Sequence, residues 1–107
     1  MDSLKKDFLE YQAKTTPHPL ALSIKKAKGS YITTTDNKKY LDFVAGVSAC
    51  SLGHRHPKVV AAIRRQTRNY LHVMVYGEFA QAPAVQLCKE LVELLPENQE
   101  RVYLTNS

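Results

Sequence analysis

The chain has 107 residues, 44% hydrophobic and 23% charged, which allows one small domain of ordinary globular composition. No apolar run approaches the roughly 20 residues that span a bilayer, and Met1 to Glu10 is charged where a secretory signal would be apolar. Both features argue for the cytoplasm, and a cytoplasmic protein with no membrane partner is expected.

Cys50 and Cys88 stand in unlike contexts without metal-type spacing and read as reduced, buried thiols. The net charge of +5 comes from scattered lysines in the first third and from the stretch Pro57 to Leu71, which carries Lys58, Arg64, Arg65 and Arg68 and no acid. Such a face could attract nucleic acid. No zinc pattern or aromatic RNA-binding motif accompanies it, so a solvated helix face is the reading preferred here and no nucleic-acid partner is expected.

In chain order, Ser3 suits the N-cap of a helix running to about Lys14, with Leu4, Phe8, Leu9 and Tyr11 as its apolar side. Thr15-Thr16-Pro17-His18-Pro19 breaks it. Leu22 to Lys28, Tyr31 to Thr35 and Lys39 to Phe43 read as three short strands separated by Gly29-Ser30 and Asp36-Asn37, an antiparallel meander. Pro57 opens a helix, with His56 at its cap. Val73 to Ala82 lacks periodicity and reads as an extended loop bent at Gly77. A second amphipathic helix runs from Ala82 to Leu95, with Ala84, Leu87, Cys88, Leu91 and Leu95 on one face and Pro96 as its stop. Arg101 to Thr105 alternates and reads as a strand. A strand ending in Asn106-Ser107 is an odd place to finish an α/β domain, so truncation is expected.

The chain is organised around Tyr40 to Pro57. It begins as a strand, passes through Ala45, Gly46, Ser48, Ala49, Cys50 and Ser51, and ends in Gly53-His54-Arg55-His56-Pro57 at a helix entrance. Small residues let a backbone pass close to another backbone or a ligand, and strand–loop–helix junctions are where α/β proteins place ligands. His54 and His56 lack a third metal ligand and are assigned structural roles, capping and bonding the loop backbone. Ser48 and Ser51 lie near histidines, but no buried carboxylate is placed to orient a base. Glycine-rich dinucleotide and P-loop motifs are absent. Thr105-Asn106-Ser107 could begin a phosphate cradle.

Tyr40-Leu41-Asp42-Phe43, then Gly46, then Leu52-Gly53-His54-Arg55-His56-Pro57 resembles the N-terminal signature of class III aminotransferases of the acetylornithine/ornithine type, which depend on pyridoxal phosphate. The preceding hairpin, from Gly29-Ser30-Tyr31 to Asp36-Asn37-Lys38-Lys39-Tyr40, and Val102 to Ser107, similar to the strand leading into the family's phosphate turn, agree with it.

The resemblance implies an α/β fold, the N-terminal part of a fold-type I pyridoxal-phosphate transferase: a helix, a three-stranded antiparallel meander, two helices and the first strand of the large domain. Residues 1–56 would belong to the small domain, and residues 57–107 would start the large cofactor-binding domain, truncated. The parent would transfer an amino group from an ω-amino or N-acylated diamino acid to 2-oxoglutarate, as a homodimer. The family's Schiff-base lysine, its pyridine-nitrogen acid and its carboxylate-binding arginine lie beyond residue 107, so this chain alone is expected to be inactive. Ser107 would sit beside the cofactor phosphate. Val47, Ser48, Tyr76 and Phe79 would lie at the substrate pocket. Some ornithine-type members carry an aromatic residue where this chain has Val47, which points away from ornithine itself. A non-catalytic interaction module retaining this fold and a small basic nucleic-acid-binding domain are the alternatives.

Overall fold

In the computed structural model, which describes residues 2–74 and 77–105, the first helix starts one residue earlier than Ser3 suggests. α1 spans Ser3–Tyr11, and its cap is Asp2, whose Oδ1 accepts the Leu4 amide at 3.2 Å. Both residues are good N-caps by type. Asp2 holds the position because its second oxygen also accepts the Thr35 hydroxyl at 2.7 Å, tying the helix start to a strand turn. That hydroxyl is the leading reason the Asp2 carboxyl is held below its ordinary value.

β1 (Ile24–Lys28), β2 (Tyr31–Thr34) and β3 (Lys39–Leu41) form the expected antiparallel meander, in the order β1-β2-β3. Lys28 pairs with Tyr31 across the two-residue turn Gly29-Ser30, and Tyr31 pairs with Leu41 on its other side. A bulge at Lys25 shifts the register between Ile24 and Lys26. Each strand is shorter than the alternation of residue types suggests. Leu22, Ser23, Asp42 and Phe43 fit a strand by composition but have no ladder partner, and Asp42 turns to other bonding.

The β2–β3 turn is built on Thr34, the one buried residue among those described, 4% exposed. Its hydroxyl donates to Asp36, and the Asn37 amide donates back to the Thr34 carbonyl at 2.9 Å. With Thr34 as the main cause and Lys38 adding to it, the Asp36 carboxyl is held down to about 2.

α2 spans Pro57–Gln66, with His56 at the N-cap position. The histidine side chain makes no capping bond, so its expected place is right and its expected chemistry is not. Val59, Val60, Ile63, Tyr70 and Leu71 make an interrupted apolar stripe that would suit a helix over the whole basic stretch Pro57 to Leu71, but Thr67 ends it. The Thr67 hydroxyl donates to the Arg64 carbonyl at 3.0 Å, a local bond that competes with further helix. α3 spans Ala82–Leu94 and carries the Cys88 thiol near the Val102 carbonyl, at 3.9 Å. Arg101 to Thr105 forms no strand, which corrects the expectation. A strand is defined by a paired neighbour, and no strand of a parallel sheet is present among the described residues to supply one.

The chain falls into two compact units, Met1–Arg68 and Asn69–Ser107. The first holds α1, the sheet and α2, and the second holds α3. Among the described residues no apolar side chain is buried, and large apolar side chains such as Phe43, Leu71, Leu94 and Tyr103 are 80% exposed or more. The accessible surface is 9780 Å². A folded monomer of this mass exposes about 6,000 Å², and two separately folded units of these sizes about 7,000 Å². Large apolar side chains contribute to this exposed surface, among them Val85, Leu87, Leu94 and Leu95 on and just after α3. Purified as 107 residues, the chain is expected to associate, to bind a hydrophobic dye and to melt over a broad range. Sedimentation showing a monomer with one sharp transition would contradict this.

Candidate functional site

The small-residue stretch after β3 folds around one carboxylate. Asp42 Oδ1 accepts the amides of Val44 (3.1 Å) and Ala45 (3.0 Å). The next four residues, Ala45, Gly46, Val47 and Ser48, all have positive φ, from +48° to +70°. Backbone bonds from Ser48 to Val44 (3.3 Å) and from Cys50 to Ala45 (2.9 Å) close this left-handed turn. Left-handed backbone costs roughly 1–2 kcal/mol for each non-glycine residue, and a β-branched residue such as Val47 is an outlier there. The turn persists because its surroundings hold it, a pattern that clusters at ligand sites.

The other Asp42 oxygen holds His54. Its Oδ2 lies 2.6 Å from His54 Nε2, and the two side chains are 13% and 19% exposed, so water screens the pair poorly. The His54 bond first, and the Ala45 amide next, hold the Asp42 carboxyl below its ordinary value. An ionised carboxylate only accepts, so the hydrogen in this bond is on His54 Nε2. The backbone of His54 is fixed as well. It exchanges two hydrogen bonds with Gly29, at 2.8 and 2.9 Å, which pins the loop to the β1–β2 turn. Gly53 allows that approach. Its φ is +81°, and a Cβ there would stand 3.2 Å from the Gly29 carbonyl oxygen.

Of the residues expected at a pocket, Val47 and Ser48 sit together on the left-handed turn, and Val47 is 85% exposed. Phe79 belongs to the second unit and is 57% exposed. Tyr76 and Ser107 lie outside the described residues. No fully buried carboxylate orients a base, as expected, but the half-buried Asp42 does stand against His54 near the serines. A Ser-His-Asp site still does not result, because the Ser51 hydroxyl donates to the Ser48 carbonyl at 2.8 Å. His54 is structural as assigned, but its ring bonds the Asp42 carboxylate and not the loop backbone. His56 differs: its Nδ1 is enclosed and has no hydrogen-bond partner among the described residues. Asp42 itself was missed as a site residue. The signal was available, since an aspartate followed by small residues at a strand end is an Asx-turn pattern.

Comparison with known proteins gives this frame a family. The family model for Aminotransferase class-III matches residues 11–107. The chain belongs to the class III aminotransferases. It is 38% identical over 88 residues to an acetylornithine aminotransferase of Methanocaldococcus jannaschii, an alignment that covers 82% of this chain and 21% of that one. Among solved structures, an ornithine aminotransferase of Plasmodium yoelii superposes with a TM-score of 0.71 at 28% identity, over 84% of this chain and 23% of that one. An adenosylmethionine-8-amino-7-oxononanoate aminotransferase of M. jannaschii superposes with a TM-score of 0.73 at 25% identity, over 92% and 24%. The chain spans about a fifth of the length of the curated relatives it matches. Its fold is the N-terminal part of this enzyme fold.

Two outcomes are expected of the clamp. Because the Asp42 carboxyl is held below its ordinary value, its contribution is complete above the ordinary carboxylate range and is lost as pH falls through the lowered value. The Val44 and Ala45 amide resonances should therefore stay fixed from neutral pH down to about pH 4 and move together below it. In Asp42→Asn that joint transition should vanish. Gly53→Ala should lower stability by about 1–2 kcal/mol from its backbone alone, read as a reduced denaturant midpoint.

Proposed function

We propose that the chain is the N-terminal part of a cytoplasmic, homodimeric, pyridoxal-phosphate-dependent aminotransferase acting on an ω-amino or N-acylated diamino acid, with 2-oxoglutarate as acceptor. The observation that carries this reading is the family match over residues 11–107, together with relatives named for acetylornithine and ornithine. Residues 1–56 would then be small-domain sequence and residues 57–107 the opening of the large domain. α2 lies in the same compact unit as the sheet, so its large-domain assignment belongs to the complete fold.

Within this reading the left-handed turn presents Val47 and Ser48 to the substrate entrance, Tyr76 and Phe79 line the pocket, and Ser107 receives the cofactor phosphate. The work of these residues is binding and orientation. The electron-sink chemistry is the cofactor's. The described residues do not by themselves form a cradle for it. The candidate phosphate ligand, Ser107, is outside them, and the lysines among them are half-buried or exposed, unlike an enclosed Schiff-base lysine. That supports the expectation that the 107-residue chain has no transaminase activity alone. The exposed apolar surface supports a homodimer whose interface it joins.

The test is an assay of the complete natural protein with acetylornithine, ornithine and a γ-amino acid as donors and 2-oxoglutarate as acceptor, alongside the 107-residue chain. Glutamate formation by the complete protein and none by the 107-residue chain is expected, with acetylornithine preferred over ornithine. Turnover by the 107-residue chain, or no turnover by the complete protein with any donor, would overturn the assignment.

A further inference from the structure

Charge is unevenly divided along the chain. Residues 1–68 hold 13 of the 15 Lys and Arg and 5 of the 10 Asp and Glu, a net +8, while residues 69–107 carry −3. Much of the excess converges on one groove of about 690 Å³ in the first unit. Its walls are Lys28, Arg55, Arg64, Arg65 and Arg68, with Pro57, Val60 and Ala61 as the apolar part. No carboxylate lines it, and none is ion-paired to any of these five cations among the described residues.

The backbone brings cations together here. The isolated bridge between Gly29 and His54 joins the chain at the residues that adjoin Lys28 and Arg55, and both of these line the groove. On the facing side, Arg64 and Arg65 close the last turn of α2 and Arg68 follows just beyond its end, so three more cations meet the same groove. A favourable position near the C-terminus of α2 accounts for Arg64 and Arg65 but not for Lys28 or Arg55. Lys58, part of the basic helix singled out in the sequence, does not line the groove.

We propose that this groove binds a small anion carrying two or more phosphate groups. Three observations favour that class. The guanidinium fork matches phosphate oxygens with paired hydrogen bonds, and Arg64 and Arg65 at the end of α2, Arg68 just past it and Arg55 supply four such forks. The volume is that of a small-molecule site. The lining offers no aromatic ring on which a base could stack, and the nearby Tyr31 ring already carries the Lys39 ammonium 4.1 Å from its centre. Charge, not a nucleobase, is what the groove reads. The proposal stands on the groove alone and is independent of the aminotransferase reading.

The test is made on the full natural chain by calorimetry, with inorganic tripolyphosphate as the probe. Saturable binding that weakens as salt is raised is expected. The double variant Arg64→Gln/Arg68→Gln should weaken it by roughly tenfold or more, with circular dichroism unchanged. Arg55→Gln should weaken it independently, and Lys89→Gln, on α3, should leave it unaltered. The proposal is overturned by an absence of saturable binding, by an equal loss in Lys89→Gln, or by Arg variants that bind as tightly as the parent. It is also overturned if a single-stranded oligonucleotide of matched charge binds much more tightly through the same arginines, which would make the surface a nucleic-acid site.

Discussion

The Asp42 carboxylate is the constraint on which the rest of the first unit depends. One oxygen satisfies two backbone amides that would otherwise face the cost of a left-handed turn without partners. The other orients His54, whose backbone joins the β1–β2 turn. A single ionised group thus links strand, turn, loop and helix entrance. Charge-assisted bonds are roughly twice as strong as neutral ones, which suits a unit with no buried apolar side chain among its described residues. Asp2 repeats the device at smaller scale, capping α1 with one oxygen and holding Thr35 with the other. Where hydrophobic burial is missing, carboxylates with two jobs do the local positioning.

Much of this was legible in the residues. The order of helix, meander, loop and two helices follows from punctuation by Pro and Gly and from apolar spacing, both of which act locally. Boundaries were less legible because partners decide them. Leu22 and Phe43 look like strand residues but lack a neighbour to bond, and Arg101 to Thr105 lacks a sheet altogether. Thr67 ends α2 by a side-chain bond that an apolar stripe does not reveal. The Asp42–His54 pair was illegible for a different reason. It joins residues on either side of the turn, which the left-handed backbone and the Gly29–His54 bridge together bring within 2.6 Å. That handedness could not be read from Val47 and Ser48, which as residue types argue against it.

The family relation and the exposed surface describe the same fact from two sides. A chain that covers about a fifth of its relatives' length, with its apolar side chains open to solvent, carries local architecture without the packing that surrounds it in an intact enzyme. The stretch after β3 is nonetheless already shaped. The turn carrying Val47 and Ser48 is bonded by Asp42 and followed by Gly53 and the Gly29–His54 bridge, all within the first unit.

The left-handed turn also has a kinetic meaning. The loop that carries it is seated by a bridge between residues far apart in sequence, and such contacts require loop closure before they give anything back. The strained geometry therefore belongs to the end of folding, when β1 and β2 have already paired. Substitutions that relieve it, as glycine at Val47 would, act mainly by slowing unfolding and leave the folding rate little changed. The segment is then a place where the lifetime of the folded unit can be tuned separately from how fast that unit is made.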